Sequence, residues 1–300
     1  MTFAAVVLSA RGASAGPEEV PGLIQLLITG SVGEQNHAIQ RLQFLGPDVA
    51  GPPLRRLLMS EDPKELIAAT DALGVVRYPP ATPLLERLVL IADDWEVRRN
   101  AVRALGTIHA QHARKLISRT LRTDKQPRVR KACVQALAQI GGANRAVAEA
   151  AVKDDDLEVR MEALDVLAKA RDRSVASVLW PLLKDSSELV RYATARSLAW
   201  QNDLHARWVL TKAIATCDPE QMNRAVTALT DVPYSWAADL LAKVLGVADT
   251  RVGCAAAAAL VRRKDDRGKA YLIKLAASGG PDAERAESWL DTFGITPGKP

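Results

Sequence analysis

Small and large apolar residues recur in pairs four positions apart along most of the chain. The small residues of successive pairs are separated by 30 to 32 positions. A spacing this regular predicts a repeat protein with a period near 31 residues and about nine units. The pairs are Ala38/Leu42, Ala69/Leu73, Ala101/Leu105, Cys133/Leu137, Ala163/Leu167, Thr194/Leu198, Ala225/Leu229, Ala256/Leu260 and Ala286/Leu290.

Each pair belongs to a longer helical pattern. In the third unit, Val97, Ala101, Leu105 and Ile108 occupy offsets 0, 4, 8 and 11, which lie on one face of an α-helix. A second apolar segment, such as 84–88, lies between consecutive helices of this kind. Each unit is thus predicted to be a helical hairpin that buries its apolar face only against its neighbours. The expected fold is all-α, a right-handed α-solenoid of about nine stacked hairpins.

Helix start signals recur three residues before the first apolar position of most units. The side chains at these positions accept hydrogen bonds from free first-turn amides. They are Ser31, Asp62, Asp94, Asp156, Ser187, Asp218 and Asp249, with weaker starts at Gln126 and Gly279. Ser31 with Glu34, and Asp62 with Glu65, match the capping-box pattern. Four glycines are predicted to end helices in a positive-φ conformation, namely Gly46, Gly74, Gly106 and Gly141.

Composition supports a helical repeat and excludes several classes of protein. Apolar residues make up 48% of the 300 positions and aromatic residues 4%, which suits a core of closely packed helices. Three cysteines cannot form a disulfide framework, and no apolar stretch is long enough to span a bilayer. The net charge of +5 is too small to indicate a general polyanion-binding protein.

The pattern Asp-x-x-Val-Arg-x-x-Ala-x-x-x-Leu-Gly, from Asp94 to Gly106, resembles the short HEAT-like repeat of bacterial proteins, the phycobilisome-lyase type. The likeness covers residues 17–291. It implies a fold whose members include protein-binding scaffolds, chromophore lyases, iron-dependent hydroxylases and DNA glycosylases. It also implies that the repeated Asp and Arg side chains form a structural ladder between units. The ladder residues are Asp94, Arg98, Arg130, Asp156, Arg160 and Arg191.

Candidate catalytic groups are few. Residues 12–16 fit Gly-x-Ser-x-Gly, but no surrounding α/β pattern accompanies them. His109 and His112 lack a third metal ligand, and alanine follows each histidine where the hydroxylase relatives carry His-Glu pairs. Cys133 replaces a small core residue, and Cys254 is expected on the outer side of its helix. We therefore expect no catalytic residues, no metal and no cofactor.

The helix face opposite the apolar stripe is the expected partner-binding surface. It is basic in the third and fourth units and carries an aromatic–cation cluster in the sixth. The residues predicted to contact a partner are Arg99, Arg103, Lys131, Tyr192, Arg196 and Trp200. Trp180 and Trp289 are expected in the core.

The chain divides by pattern into an N-terminal arm (1–16), the repeats (17–291) and a C-terminal tail (292–300). The arm resembles the end of a signal peptide, which favours export to the periplasm, with a cytoplasmic protein as the alternative. The predicted function is a non-enzymatic scaffold that binds another protein along the concave face of the solenoid, with no membrane span and an undetermined oligomeric state. The alternatives are a bilin lyase or isomerase and a DNA-binding or DNA glycosylase protein; nucleic acid is not the favoured partner.

Overall fold

The computed structural model describes residues 16–142, 144–246 and 249–296, and it contains eighteen α-helices and no β-strand in these ranges. The chain divides into two compact units, residues 1–147 and 148–300. In unit 1 the helices are α1 (Val20–Thr29), α2 (Val32–Leu45), α3 (Pro47–Leu57), α4 (Pro63–Val76), α5 (Thr82–Ile91), α6 (Trp95–Thr107), α7 (Arg114–Thr123) and α8 (Pro127–Ile140). Helix α9 (Asn144–Lys153) includes the division between the units.

Unit 2 is also built from helices. Its helices are α10 (Leu157–Ala170), α11 (Ala176–Leu179, extended by a 3₁₀ turn Trp180–Lys184), α12 (Glu188–Trp200), α13 (Leu204–Ala215), α14 (Pro219–Leu229), α15 (Ser235–Val244), α16 (Thr250–Arg262), α17 (Asp266–Ala276) and α18 (Pro281–Thr292). None of the helices in the described ranges is both long and apolar enough to cross a membrane.

The even-numbered helices carry the repeated pairs and pack side by side within each unit. In unit 1, α6 lies against α4 and α8; in unit 2, α12 lies against α10 and α14, and α14 against α16. Every residue of the nine pairs is at most 1% exposed, including the polar Thr194, whose hydroxyl donates to the Val190 carbonyl. The all-α, α-solenoid type of architecture predicted from the sequence is confirmed.

The predicted helix starts are largely confirmed. The side chains of Asp62, Asp94, Asp156, Asp218 and Asp249 each accept a first-turn amide hydrogen bond. Ser31 and Glu34 form the complete capping box. The box predicted for Asp62 is wrong, because the Asp62 amide donates to Ser60 Oγ at 3.1 Å. Ser187 makes no side-chain cap, and the last helix is capped at Gly280 and not at Gly279.

Two of the four glycines predicted to end helices lie inside them. Gly46 and Gly141 do follow their helices, each with a φ of 82°. Gly74 and Gly106 lie within α4 and α6 instead. A Cβ on Gly106 would lie 2.8 Å from the Ala136 Cα of α8. This glycine therefore lets two even-numbered helices approach each other, a role that the residue type alone did not distinguish from a helix end.

Two further placements predicted from the sequence are wrong. Cys254 is not on an outer face: it is 1% exposed and packs with Ala257, Leu272, Ala286 and Leu290 because α17 and α18 cover α16. Trp180 is not in the core, since 39% of it is exposed.

The predicted termini are only partly within the described ranges. Residues 1–15, with most of the expected arm and of the Gly-x-Ser-x-Gly motif, lie outside them, as do residues 297–300 of the expected tail. Helix α18 extends to Thr292, one residue beyond the expected end of the repeats.

Candidate protein-binding surface

The repeated arginines are bonded to the backbone at the helix starts. In four successive even-numbered helices, Nη1 of the arginine donates to the carbonyls five and six residues earlier. The bonds run from Arg98 to Ala92 and Asp93 (both 2.8 Å), Arg130 to Asp124 and Lys125 (3.0 and 3.4 Å), Arg160 to Asp154 and Asp155 (2.9 and 3.1 Å), and Arg191 to Asp185 and Ser186 (2.8 and 3.1 Å). These guanidinium groups hold the loops in place.

The carboxylate partner of the ladder differs from the one the resemblance implied. Arg98 Nε and Nη2 donate to the two oxygens of Asp124, at 2.9 and 3.2 Å, in the loop of the next repeat. Arg160 forms a looser ion pair with Asp185, also in the loop of the next repeat, with Nε 3.5 Å from the carboxylate. The capping residues Asp94 and Asp156 instead bond their own first turns. Hydrogen bonding to Asp124 raises the pKa of the Arg98 guanidinium.

The acids that receive these arginines also shape the turns. Asp124, Asp154 and Asp185 each stand two residues before a helix cap and accept the amide of the cap residue, at 2.9, 3.0 and 2.8 Å. Asp124 and Asp185 thus join a turn of one repeat to an arginine of the repeat before it. The repeated Asp-x-cap spacing, at Asp124, Asp154 and Asp185, was a visible signal that the sequence reasoning missed.

In unit 1, the predicted contact residues lie on or near the surface, and Arg99 and Arg103 already have acceptors or ring partners. Arg99 lies with its guanidinium carbon 5.1 Å from the Trp95 ring centre and donates to Asn100 at 3.2 Å. Arg103 is exposed and lies 3.7 Å from Asp71. Lys131 is half-buried in α8. Arg99 lies beside an aromatic side chain, Trp95, that borders a cavity.

In unit 2, the predicted aromatic–cation cluster has a different cation. The guanidinium carbon of Arg171 lies 4.3 Å from the Trp200 ring centre, whereas Arg196 pairs with Asp165 at 3.2 Å. Tyr192 is half-buried, and burial raises the pKa of its phenol. The described contacts do not join Tyr192, Arg196 and Trp200 into the single cluster that their spacing suggested.

A second aromatic surface of unit 2 lies at the start of α13. The Trp180 indole donates to Asp203 at 3.2 Å, and its ring centre lies 4.3 Å from that of His205. Leu204 and Trp208 are 76% and 65% exposed. This surface therefore combines exposed apolar side chains with the polar Asp203 and His205.

A cavity of about 610 Å³ opens in unit 1 between the end of α5 and the end of α7. We call it the α5–α7 groove. Leu90 and Ile91, at the end of α5, are 63% and 59% exposed. The lining residues are Val89, Leu90, Ile91, Ala92, Asp93, Trp95, Arg98, Leu116, Arg119, Thr120, Thr123, Asp124, Lys125 and Gln126. Exposed side chains of this size beside a cavity are a mark of binding surfaces.

The groove lies in the most basic part of the chain. Residues 97–131 contain eleven Lys and Arg side chains and one acidic residue, whereas the whole chain has a net charge of +5. The eleven are Arg98, Arg99, Arg103, Arg114, Lys115, Arg119, Arg122, Lys125, Arg128, Arg130 and Lys131. Because the excess is local, the total charge of the chain concealed it.

Groups with possible catalytic chemistry have structural contacts. His109 Nδ1 lies 2.9 Å from the Gln139 carbonyl, and His112 Nε2 lies 3.5 Å from Glu86. Cys133 is fully buried, which raises its thiol pKa far above the ordinary value. Within the described ranges, no three His, Cys, Asp or Glu side chains are grouped so that they could hold a metal ion.

Comparisons with known proteins identify the repeat. Residues 87–149 and 144–228 match the HEAT repeat family model, and no curated protein matches the sequence. The X-ray structure of the E. coli protein YibA aligns with a TM-score of 0.62 and 16% identity, over 81% of this chain and 92% of that one. At this identity the likeness concerns the fold alone.

Two other structures align over most of the chain with lower scores. Human deoxyhypusine hydroxylase has a TM-score of 0.35 and 18% identity, over 93% of this chain and 96% of that one. A structure of the CpcE and CpcF complex of phycocyanin lyase, from Nostoc sp. PCC7120, has a TM-score of 0.35 and 18% identity, over 94% and 96%. Residues 87–228 of this chain thus match HEAT repeats, and the YibA alignment supports the all-α fold.

Proposed function

We propose that the protein is a non-enzymatic HEAT-repeat scaffold that binds a partner protein, and that the α5–α7 groove is its main contact site. The observation that carries this proposal is the exposure of Leu90 and Ile91 beside a cavity of about 610 Å³. Complete burial of a Leu or Ile side chain contributes about 1.5–3 kcal/mol. A partner that covers both would gain a substantial part of that energy.

The positions of the surrounding side chains support a rigid binding surface. Trp95 lies in the first turn of α6, and the guanidinium carbons of Arg99 and Arg128 lie 5.1 and 5.3 Å from its ring centre. Arg98 fixes the loop at 92–93 and, through Asp124, the loop at 124–126. Both loops line the groove. Little ordering is therefore required on binding, which favours affinity.

Catalysis is not part of the proposal because the groups that line the groove have structural or binding roles. Arg98 and Asp124 satisfy each other and the neighbouring backbone. The remaining lining is apolar, hydroxylated or basic, apart from Asp93 and the amide of Gln126. This mixture suits recognition of a protein surface, where apolar anchors are surrounded by polar groups.

The proposal is tested by capture of partners with wild-type and variant protein, followed by quantitative mass spectrometry. In Leu90→Ser/Ile91→Ser, the apolar anchors are removed without a change of charge. The matched control, Val32→Ser/Phe44→Ser, removes two exposed apolar side chains of unit 1 on α2, which are 74% and 73% exposed. We expect specific proteins to be lost with the groove variant and retained with the control. Equal capture by all three proteins would refute the groove as the binding site.

A further inference from the structure

We infer that the α5–α7 groove accepts an acidic peptide segment that carries apolar side chains, contributed by the partner protein. This inference rests on the proposed function and adds the chemistry of the bound segment. Its basis is charge complementarity combined with the exposed apolar pair Leu90 and Ile91.

The cations that line the groove differ in whether they are already neutralised. Arg98 is paired with Asp124, whose oxygens also accept the Gln126 amide, so this pair offers little net charge. Arg119 and Lys125 are exposed and form no ion pair within the described part of the chain. The exposed Asp93 also lines the groove and contributes one negative charge. A ligand therefore meets a net positive lining.

The surroundings increase this positive field. Arg122 is exposed on α7, Arg128 lies at the start of α8, and Arg99 lies on α6. None of these three has a carboxylate partner among the described side chains. Carboxylates of a peptide would supply the missing counter-charges, and a positive surface attracts them before contact.

The apolar part of the groove favours a peptide over a nucleic acid. A phosphate placed against Leu90 and Ile91 would lose hydration without gaining a hydrogen bond, whereas peptide Leu or Ile side chains would bury this apolar surface favourably. The Trp95 ring already has two guanidinium groups near it, so base stacking would have to displace them. A volume near 610 Å³ falls in the range of sites that hold several side chains.

Fluorescence anisotropy with a labelled synthetic peptide tests the inference on the full-length protein. The probe is a fluorescein-labelled peptide of about 12 residues in which Glu and Asp alternate with Leu, long enough to cross the groove as an extended strand. Two comparison peptides replace either the acids by Lys or the Leu residues by Ser. We expect saturable binding of the acidic Leu peptide, and binding at least about tenfold weaker for each comparison peptide.

Charge-reversal variants place the binding in the groove. Arg119→Glu/Lys125→Glu should weaken binding of the acidic Leu peptide at least about tenfold. The matched control, Lys243→Glu/Lys269→Glu, changes the net charge equally at two exposed lysines of unit 2 and should leave binding within about twofold. Equal weakening by both variants, or equal binding of acidic and basic peptides, would overturn the inference.

The other polyanions are tested in the same assay. The alternative probes are a labelled DNA duplex and vesicles of phosphatidylserine and phosphatidylcholine. If either binds more tightly than the peptide and loses binding in Arg119→Glu/Lys125→Glu, the peptide assignment is overturned. If no peptide binds but Leu90→Ser/Ile91→Ser still loses captured proteins, the acidic-segment inference fails and the proposed function stands. If the wild-type protein binds the acidic Leu peptide but Leu90→Ser/Ile91→Ser captures the same proteins as wild type, the proposed function fails instead.

Discussion

Replacement of Gly106 by alanine tests whether the even-numbered helices of unit 1 pack as closely as the structure shows. The new Cβ would lie 2.8 Å from Ala136 Cα, 2.9 Å from Ala136 Cβ and 2.5 Å from Gln139 Oε1. Carbon atoms in favourable contact are about 3.5–4.0 Å apart. The Gln139 side chain can rotate away, but Ala136 Cα belongs to the backbone of α8. Relief therefore requires α6 and α8 to separate.

The expected magnitude follows from two opposing terms. Overpacking a closely packed site costs about 1–3 kcal/mol, and a clash with backbone puts Gly106 near the upper end. Alanine is better than glycine in a helix by about 1 kcal/mol, which offsets part of this cost. We therefore expect Gly106→Ala to lower the free energy of unfolding by about 2 kcal/mol.

Urea unfolding monitored by circular dichroism measures this change, and two further glycines give a graded series. Gly74→Ala places a Cβ 3.2 Å from Ala104 Cα, so its effect should be smaller. Gly22, inside α1, has nothing within 4 Å of the added Cβ, and Gly22→Ala should stabilise by about 0.5 kcal/mol. A Gly106→Ala protein as stable as Gly22→Ala would refute the close approach of α6 and α8.

Two other predictions concern the ladder and the thiols. Arg98→Ala should lower the free energy of unfolding in urea by about 3 kcal/mol, because it leaves Asp124, whose side chain is 7% exposed, without its cation. Arg98→Lys should recover less than half of this loss, because lysine cannot form the two-pronged bond. Arg103→Ala, which removes an exposed pair at 3.7 Å, should cost under about 0.5 kcal/mol; equal losses at both positions would contradict the structural role of Arg98. In the native protein only Cys217 should react rapidly with Ellman's reagent, because Cys133 and Cys254 are buried and burial raises their thiol pKa, whereas denaturant should expose all three. Rapid reaction of two or three thiols in native buffer would show that the helix cores open.

The parts of the fold that depend on local pattern were predictable from the sequence. The Ala101/Leu105 spacing and its counterparts identify buried positions because a helix places residues four apart on the same face. Asp94 and Asp218 identify helix starts because a short acceptor is needed there. Neither inference requires knowledge of what packs against the helix.

The parts that depend on neighbours were not predictable in this way. Cys254 is buried by α17 and α18, although its offset matches that of the half-buried Lys131 and Tyr192 in earlier units. Gly106 fits either a helix end or a close approach, and only the position of Ala136 distinguishes them. Leu90 and Ile91 look like core residues in a periodic pattern, so the groove was missed; the local excess of basic residues in 97–131 was the available signal.

The bond between Arg98 and Asp124 has a consequence for how such a chain can change in length. Each hairpin of this kind contains an arginine that bonds the loop in front of its even-numbered helix. The acid in that loop pairs with the arginine of the preceding hairpin. Duplication or deletion of one complete unit of about 31 residues would therefore join compatible ends and leave the neighbouring bonds intact. The pairing therefore favours changes in length by whole repeat units, whereas an insertion inside α7, which would rotate Asp124 away from Arg98, would disrupt it.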